Sequence, residues 1–247
     1  EQPTSALSIK NVTKSYISTG PVVLENINLD VRPGEFVTLL GASGCGKSTL
    51  LSLIAGLESP TDGEITTVAK PALMFQEPAL LPWLTAQQNV ELAMRFGGVS
   101  KAKRKTKAQE LLSLVHLDRA VKQRPHELSG GMRQRVALAR ALAQDSSILL
   151  MDEPFAALDA VTRDILHEEL IRVWQETGVT VVFVTHNVRE AVRLGQRVLL
   201  MSSRPGRIAR EWQIDAPEPR RIEDENVSRL AGEITAELRK EIRRHAN

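Results

Sequence analysis

Residues 36–56 read FVTLLGASGCGKSTLLSLIAG. The stretch begins with a short apolar run, Phe36–Leu40, of the kind that forms a buried strand. Lys47–Gly56 follows the glycines, and its leucines predict a helix that Gly56 ends. Between them, Gly41–Ser48 matches G-x-x-x-x-G-K-[ST], a glycine-rich loop that cradles phosphate groups between a strand and a helix. The sequence therefore predicts a phosphate-binding site at the junction of the strand and the helix.

Two further features supply chemistry for such a site. The Lys47 ammonium is expected to reach the β- and γ-phosphates of a nucleotide, and the Ser48 hydroxyl to ligate Mg²⁺. Farther along, the apolar strand Ile148–Met151 ends in two carboxylates, Asp152 and Glu153. We expect Asp152 to hold Mg²⁺, through water, and Glu153 to polarise an attacking water as a general base.

A second glycine-containing turn precedes another predicted helix. Ser129, Gly130 and Gly131 stand directly before the helical run Met132–Leu142. Glycines at a helix start expose backbone N–H groups, so this turn predicts a second phosphate cradle. One chain needs only one cradle for its own nucleotide, which suggests that the second one serves a nucleotide held by another molecule.

The order of predicted elements indicates an α/β fold. Strand patterns alternate with helical ones before and after a long helical block, and such alternation implies a parallel sheet covered by helices. The expected class is a P-loop core with an N-terminal antiparallel β part and an inserted helical part. The predicted strands are 7–12, 22–31, 36–40, short pieces within 65–75, 147–151, 179–185 and 197–201; the predicted helices are 47–56, several within 85–144, 161–176 and 188–194.

Composition excludes several other classes. The 247 residues carry a formal charge of +2 and 4% aromatics, which argues against nucleic acid as a partner. The basic run 101–107 is interpreted as a solvated helix face. The single cysteine, Cys45, excludes an internal disulfide framework, and the five histidines show no metal spacing. No apolar run approaches the ~20 residues of a spanning helix, so membrane association is expected to need a partner.

Taken together, these motifs resemble those of ABC-type ATPases, in the same order along residues 7–214. Gly41–Ser48 looks like the Walker A motif, and 128–131 like the signature. Asp152-Glu153 looks like Walker B, 157–159 like the D-loop, and His186 like the switch histidine. Gln76 is similar to the Q-loop glutamine, and Tyr16 to the aromatic residue that stacks on adenine.

The resemblance implies roles for individual residues. Two copies are expected head to tail, with ATP and Mg²⁺ between one chain's Walker A motif and the other's Ser129, Gly130 and Gly131. His186 would contact the γ-phosphate, Gln76 would approach Mg²⁺ and the attacking water, and Asp159 would lie at the dimer interface. Within one chain, the implied ATP-binding residues are Tyr16, Gly41, Ser43, Gly44, Cys45, Gly46, Lys47, Ser48 and Thr49.

Residues 76–85 are similar to the segment after the Q-loop in importer ATPases for nitrate, sulfonates, taurine and bicarbonate. Leu81, Pro82 and Trp83 are apolar there, and the resemblance places them against a membrane subunit. It implies two permease subunits, an indirectly associated substrate-binding protein, no nucleic acid, and a location at the cytoplasmic face of the inner membrane. The alternatives are the ATPase of another ABC membrane system, such as an exporter, lipid transporter or vitamin-precursor importer, or a soluble ABC ATPase acting on nucleic acid or ribosomes.

The expected organisation is an ATPase domain over residues 1–215 followed by a C-terminal extension over 216–247. The helical part, at about 78–145, is read as an insertion in the α/β core. Pro217 and Pro219 mark the boundary, and the apolar residues Val227, Leu230, Ile234, Leu238 and Ile242 predict an amphipathic helix after it.

Overall fold

A computed structural model describes residues 5–17, 20–215, 220 and 224–244 of the chain. Nine strands and seven α-helices, with two short 3₁₀ turns, make up this described part. The strands are β1 (Leu7–Ser15), β2 (Val22–Val31), β3 (Phe36–Leu40), β4 (Asp62–Thr67), β5 (Ala72–Met74), β6 (Ile148–Asp152), β7 (Thr180–Thr185), β8 (Arg197–Met201) and β9 (Ile208–Gln213). The helices are α1 (Lys47–Ile54), α2 (Ala86–Phe96), α3 (Lys101–Leu114), α4 (Gly130–Leu142), α5 (Ala160–Thr177), α6 (Val188–Leu194) and α7 (Glu225–Arg244).

A six-stranded sheet forms the centre, in the order β5-β6-β7-β3-β8-β9. Its first five strands are parallel, and β9 pairs antiparallel to β8 at the edge. Every residue of β3 and β7 is buried, as expected of parallel strands covered on both faces. The carboxyl ends of β3, β6 and β7 therefore meet at one edge of the sheet, where ligands bind in open α/β sheets.

A second sheet, β2-β1-β4, is antiparallel and packs over α1. Its inward residues alternate along the strands, for example Leu24, Ile27, Leu29 and Val31 on β2. Together with α1 they bury one face of the central sheet. The structure thus confirms the predicted α/β fold with an N-terminal antiparallel β part.

The helical block divides into α2, α3 and α4. Thr85 begins α2 with a reciprocal pair of cap bonds to Gln88. Between α3 and α4, two 3₁₀ turns, Asp118–Ala120 and Pro125–Glu127, carry the chain back towards the sheet. The apolar sides of these helices join α5 and the second face of the central sheet in one core.

The predicted amphipathic helix is present as α7. Its buried residues, including Val227 and Ile234, pack with α6, β8 and β9 in a third cluster. The Trp212 indole of β9 donates to Glu233 of α7 at 2.9 Å. Strand β9 itself was not predicted, and the proposed boundary prolines, Pro217 and Pro219, lie outside the described residues. No helix within the described ranges has the length and apolarity needed to cross a membrane.

Candidate nucleotide site

The glycine-rich loop joins β3 to α1, as the sequence predicts. Gly46 precedes the helix at φ 99°, and Gly44 lies at φ 78°; both values favour glycine. These conformations let the loop curl over the start of α1, whose first N–H groups have no partners inside the helix. The loop and the positive end of the helix dipole together suit a phosphate group.

Lys47 is buried and folds back over this loop. Its ammonium donates to the carbonyl oxygens of Gly41 at 2.8 Å and Ala42 at 2.9 Å. The same nitrogen lies 3.9 Å from Glu153 Oε1 and 3.8 Å from the Cys45 sulfur. Burial raises the pKa of the Cys45 thiol, against the opposing effect of the nearby lysine. The Lys47 ammonium is therefore held among the loop carbonyls and the Glu153 carboxylate.

Ser48 and Asp152 form an oxygen-donor pair beside the loop. Burial raises the pKa of the Asp152 carboxyl, and a hydrogen bond from Ser48 opposes that rise. The adjacent Glu153 charge raises this pKa further, whereas Lys47 lowers it. Hydroxyl and carboxylate oxygens are ligands that Mg²⁺ prefers, so this pair fits that ion.

Glu153 bonds to His186 across the ends of two neighbouring strands. Its Oε2 lies 2.8 Å from His186 Nδ1, and its backbone N–H donates to Val184 O at 3.0 Å. Glu153 has a φ of 45°, a left-handed value that is rare for a residue with a side chain. Residues held in such conformations are concentrated at functional sites. The structure thus brings together Lys47, Glu153 and His186, three predicted site residues that are distant in sequence.

The second glycine turn lies away from this cluster, against the start of α5. Ser129 caps α4 by accepting from Met132 N at 3.2 Å. A Cβ atom on Gly131 would lie 2.7 Å from Thr162 Cγ2, and one on Gly130 would lie 3.2 Å from Leu158 Cδ2. Glycine is therefore needed at Gly131 for the close packing of α4 on α5.

Asp159 begins α5 and is exposed. Its carboxylate accepts from the Thr162 N–H at 3.0 Å and the Thr162 hydroxyl at 2.6 Å, and these bonds hold its pKa below the usual range. The Arg163 guanidinium donates to the carbonyl oxygens of Phe155, Ala156 and Leu158, which fixes the turn between Glu153 and α5.

Gln76 lies on an exposed loop after β5, and this loop is tied to α4. Gln134 donates to the Gln76 carbonyl at 2.8 Å, and Arg140 donates to those of Pro78 at 2.6 Å and Ala79 at 2.8 Å. Burial lowers the pKa of the Arg140 guanidinium. The segment that resembles a Q-loop is therefore bound to the helix that begins at the second glycine turn.

The apolar segment that follows is held by one buried side chain, Asn89. Its amide accepts from Leu81 N at 2.8 Å and donates to the carbonyls of Leu81, Leu84 and Thr85. Leu81 is half-buried and Pro82 is exposed, while Trp83 is 66% exposed. Asn89, Gln134 and Arg140 were not predicted, because their side chains act on backbone groups that no local motif indicates.

Tyr16 lies in the bend directly after β1 of the antiparallel sheet. It is 59% exposed, its hydroxyl donates to Glu58 at 3.2 Å, and the Lys14 ammonium lies 4.9 Å from its ring centroid. Of the other predicted loop residues, Ser43 is exposed and Thr49 is half-buried in the first turn of α1.

Comparison with known proteins defines the family. Residues 24–156 match the model of the ABC transporter family, and the chain belongs to that family. It is 46% identical over 230 residues to a taurine import ATP-binding protein of Rhizobium johnstonii, covering 89% of this chain and 87% of that one. It is also 43% identical to an aliphatic sulfonates import ATP-binding protein of Bacillus cereus, covering 92% and 94% of the two chains.

A solved structure agrees with the fold. It is a dimeric ATP-binding cassette in a post-hydrolysis state, bound to ADP and Pi, and is 37% identical to this chain. The TM-score is 0.73, and the match covers 85% of this chain and all of that one.

Proposed function

We propose that this chain is the ATP-hydrolysing subunit of an importer for a small, anionic solute of the sulfonate, taurine, bicarbonate or nitrate class. The observation that carries the proposal is the meeting of Lys47, Glu153 and His186 beside the Gly41–Ser48 loop. The importer assignment is supported by relatives whose names specify import of taurine and of aliphatic sulfonates.

The reaction is hydrolysis of ATP to ADP and phosphate. The loop N–H groups and Lys47 hold the phosphates and offset their charge. Glu153 takes the proton from the water that attacks the γ-phosphorus, while the bond from that phosphorus to the bridging oxygen breaks. His186 orients the Glu153 carboxylate through their 2.8 Å bond and contacts the γ-phosphate. Gln76 approaches the same water from its loop.

Ser48, Asp152 and Gln76 would hold Mg²⁺, with Asp152 acting through water. When bound, the ion supplies charge stabilisation on the β- and γ-phosphate oxygens. The support for this assignment is the Ser48–Asp152 oxygen pair beside the loop, together with the exposed position of Gln76.

The chain pairs head to tail with a second copy, and each ATP lies between one chain's loop and the other's Ser129, Gly130 and Gly131. Asp159 lies at this interface. Its exposure, and the position of the second glycine turn away from the chain's own loop, support the arrangement. The ATPase domain comprises residues 1–215, with the helical part at 78–145 inserted in it, and 216–247 form an extension.

The complex contains two permease subunits, and this chain lies at the cytoplasmic face of the inner membrane through contact with them. Leu81, Pro82 and Trp83 form the docking surface for a permease segment. Exposure of the Trp83 indole and the fixing of its loop by Asn89 support this surface. A substrate-binding protein joins the complex through the permease.

Affinity purification of the chain from detergent-solubilised native membranes tests the importer proposal. Recovery of a polytopic membrane protein with a substrate-binding protein would support it, and ligand-binding assays on the latter would then identify the solute. A membrane protein of exporter or lipid-transport type would favour the first alternative. Recovery of only ribosomal or DNA-associated proteins would overturn the transport assignment.

A further inference from the structure

Helices α5 and α6 share a buried polar network that the reaction described above does not use. His167 of α5 donates from Nε2 to Glu190 Oε1 of α6 at 2.7 Å. The second oxygen of Glu190 accepts from the hydroxyl of Thr185, the last residue of β7. All three residues are at least 93% buried. Buried polar groups of this kind are costly without partners, so the two bonds to Glu190 fix these side chains closely. The other ring nitrogen of His167, Nδ1, is buried without a hydrogen-bond partner among the described residues.

The network ends at the segment that carries His186. The Thr185 oxygen accepts from the backbone N–H of Asn187 at 2.9 Å, so bonds from the network flank His186 on both sides. Asn187 in turn caps α6 by accepting from Arg189 N at 3.0 Å. The backbone around His186 is thus positioned by Glu190 through Thr185.

The His167 ring also contacts the segment that carries Glu153. The rings of His167 and Phe155 lie 5.7 Å apart between centroids, and Phe155 stands two residues after Glu153. Phe155 is buried, and its carbonyl is held by Arg163 of α5. One imidazole therefore touches both supports of the Glu153–His186 pair.

We propose that His167 is a positioning residue for ATP hydrolysis. Through its contact with Phe155 it holds the segment of Glu153, and through its bond to Glu190 it holds the segment of His186, so that these two side chains stay bonded to each other. The inference rests on the proposed function of those two residues. His167 itself does not touch the reacting groups. Its ring supplies a donor of fixed direction to Glu190 and an apolar face to Phe155.

The decisive comparison is between His167→Leu, which removes the donor, and His167→Gln, whose amide N–H can replace Nε2–H. In the purified full chain, His167→Leu should lower kcat about tenfold, equivalent to about 1.4 kcal/mol, with KM for ATP changed less than about twofold. His167→Gln should restore most of kcat. Equal kcat in His167→Leu and the unmodified chain would overturn the proposal.

A matched control separates positioning from loss of stability. Glu169 is also buried on α5, but it pairs with Arg135 of α4 at 3.0 Å, away from His186. Glu169→Gln should lower Tm yet leave kcat unchanged. If Glu169→Gln and His167→Leu lower kcat equally, the effect is one of general stability and the proposal is wrong.

A spectroscopic measurement tests the link without relying on turnover. The chain has five histidines, so imidazole ¹⁵N signals can be assigned by single substitutions. His167→Leu should shift the His186 signals, His167→Gln should return them, and Glu169→Gln should leave them in place. Unshifted His186 signals in a chain that hydrolyses ATP would overturn this inference alone, whereas an unmodified chain without ATPase activity would overturn the proposed function and the inference with it. If His167→Leu does not fold, the isosteric Glu190→Gln takes its place, with the same expected shift.

Discussion

The Glu153 carboxylate bonds to His186 Nδ1 at 2.8 Å, although 33 residues separate them in sequence. Two strand ends make this contact, because β6 and β7 lie side by side and parallel. The bond leaves the second oxygen of Glu153 facing Lys47 at 3.9 Å. The proposed base is therefore held between a cation and an imidazole.

The first prediction concerns this base. Glu153→Gln should keep the contact with His186 but cannot accept a proton, so hydrolysis should fall by about 100-fold or more. ATP binding should persist, because the phosphate-binding groups remain. ATP should then hold the chain as a dimer, which size-exclusion chromatography with ATP would detect. Glu110→Gln, on the exposed face of α3, is the control. If Glu153→Gln hydrolyses ATP as fast as Glu110→Gln, Glu153 is not the general base.

The second prediction concerns the docking surface. Burial of a large apolar side chain contributes about 1.5–3 kcal/mol, so Trp83→Ala should weaken permease binding and abolish transport in the full complex. ATPase activity of the isolated chain should stay unchanged. Phe96→Ala provides the comparison, because Phe96 is 84% exposed at the opposite end of α2. Equal transport in both variants would show that the docking surface lies elsewhere.

The third prediction concerns the residue that fixes this surface. Asn89→Ala should lower the free energy of unfolding by about 1–3 kcal/mol, because it leaves the Leu81 N–H and the Leu84 carbonyl without a partner. Urea denaturation would measure the change. Asn28→Ala removes an exposed asparagine and should cost no more than about 0.5 kcal/mol. A smaller loss for Asn89 than for Asn28 would contradict the structural role.

The fourth prediction concerns the phosphate loop. A Cβ atom on Gly46 would lie 2.6 Å from Leu24 Cδ2, and the residue also has a positive φ. Gly46→Ala should therefore distort the loop and weaken ATP binding at least about tenfold by calorimetry, a change of about 1.4 kcal/mol. Gly56→Ala is the control that separates backbone strain from the clash with Leu24. Gly56 also has a positive φ, of 70°, but nothing lies within 4 Å of its Cβ position. If Gly56→Ala weakens ATP binding equally, the loop is not the cause.

Local patterns in the sequence predicted most of the fold. Phe36–Leu40 and Ile148–Asp152 form buried strands because each is a continuous apolar run between breaking residues. Strand β9 was not predicted because only Trp212 is buried in it, so no apolar alternation is visible. Within the helical block, the helical run Met132–Leu142 was predicted, but the two 3₁₀ turns before it were not, since they carry no glycine.

The candidate site was predicted in its residues but not in its contacts. Gly41–Ser48 and Asp152-Glu153 follow local rules, because a loop and a strand end are defined by neighbours in sequence. The left-handed backbone at Glu153 and the His167–Glu190 bond depend on how β6, β7, α5 and α6 pack. No pattern within a single element indicates them.

Gln134 and Arg140 of α4 bond to backbone carbonyls of the loop at 76–79, so this loop and α4 are mechanically coupled. Both donors belong to the helix whose first residues, in the proposed dimer, serve the neighbouring copy's ATP. If the proposed permease segment docks on this loop, its movement on one copy would be transmitted through α4 to the ATP site that this helix shares with the other copy. In such a dimer, the rate of ATP hydrolysis at each site would depend on the permease contact made by the opposite copy.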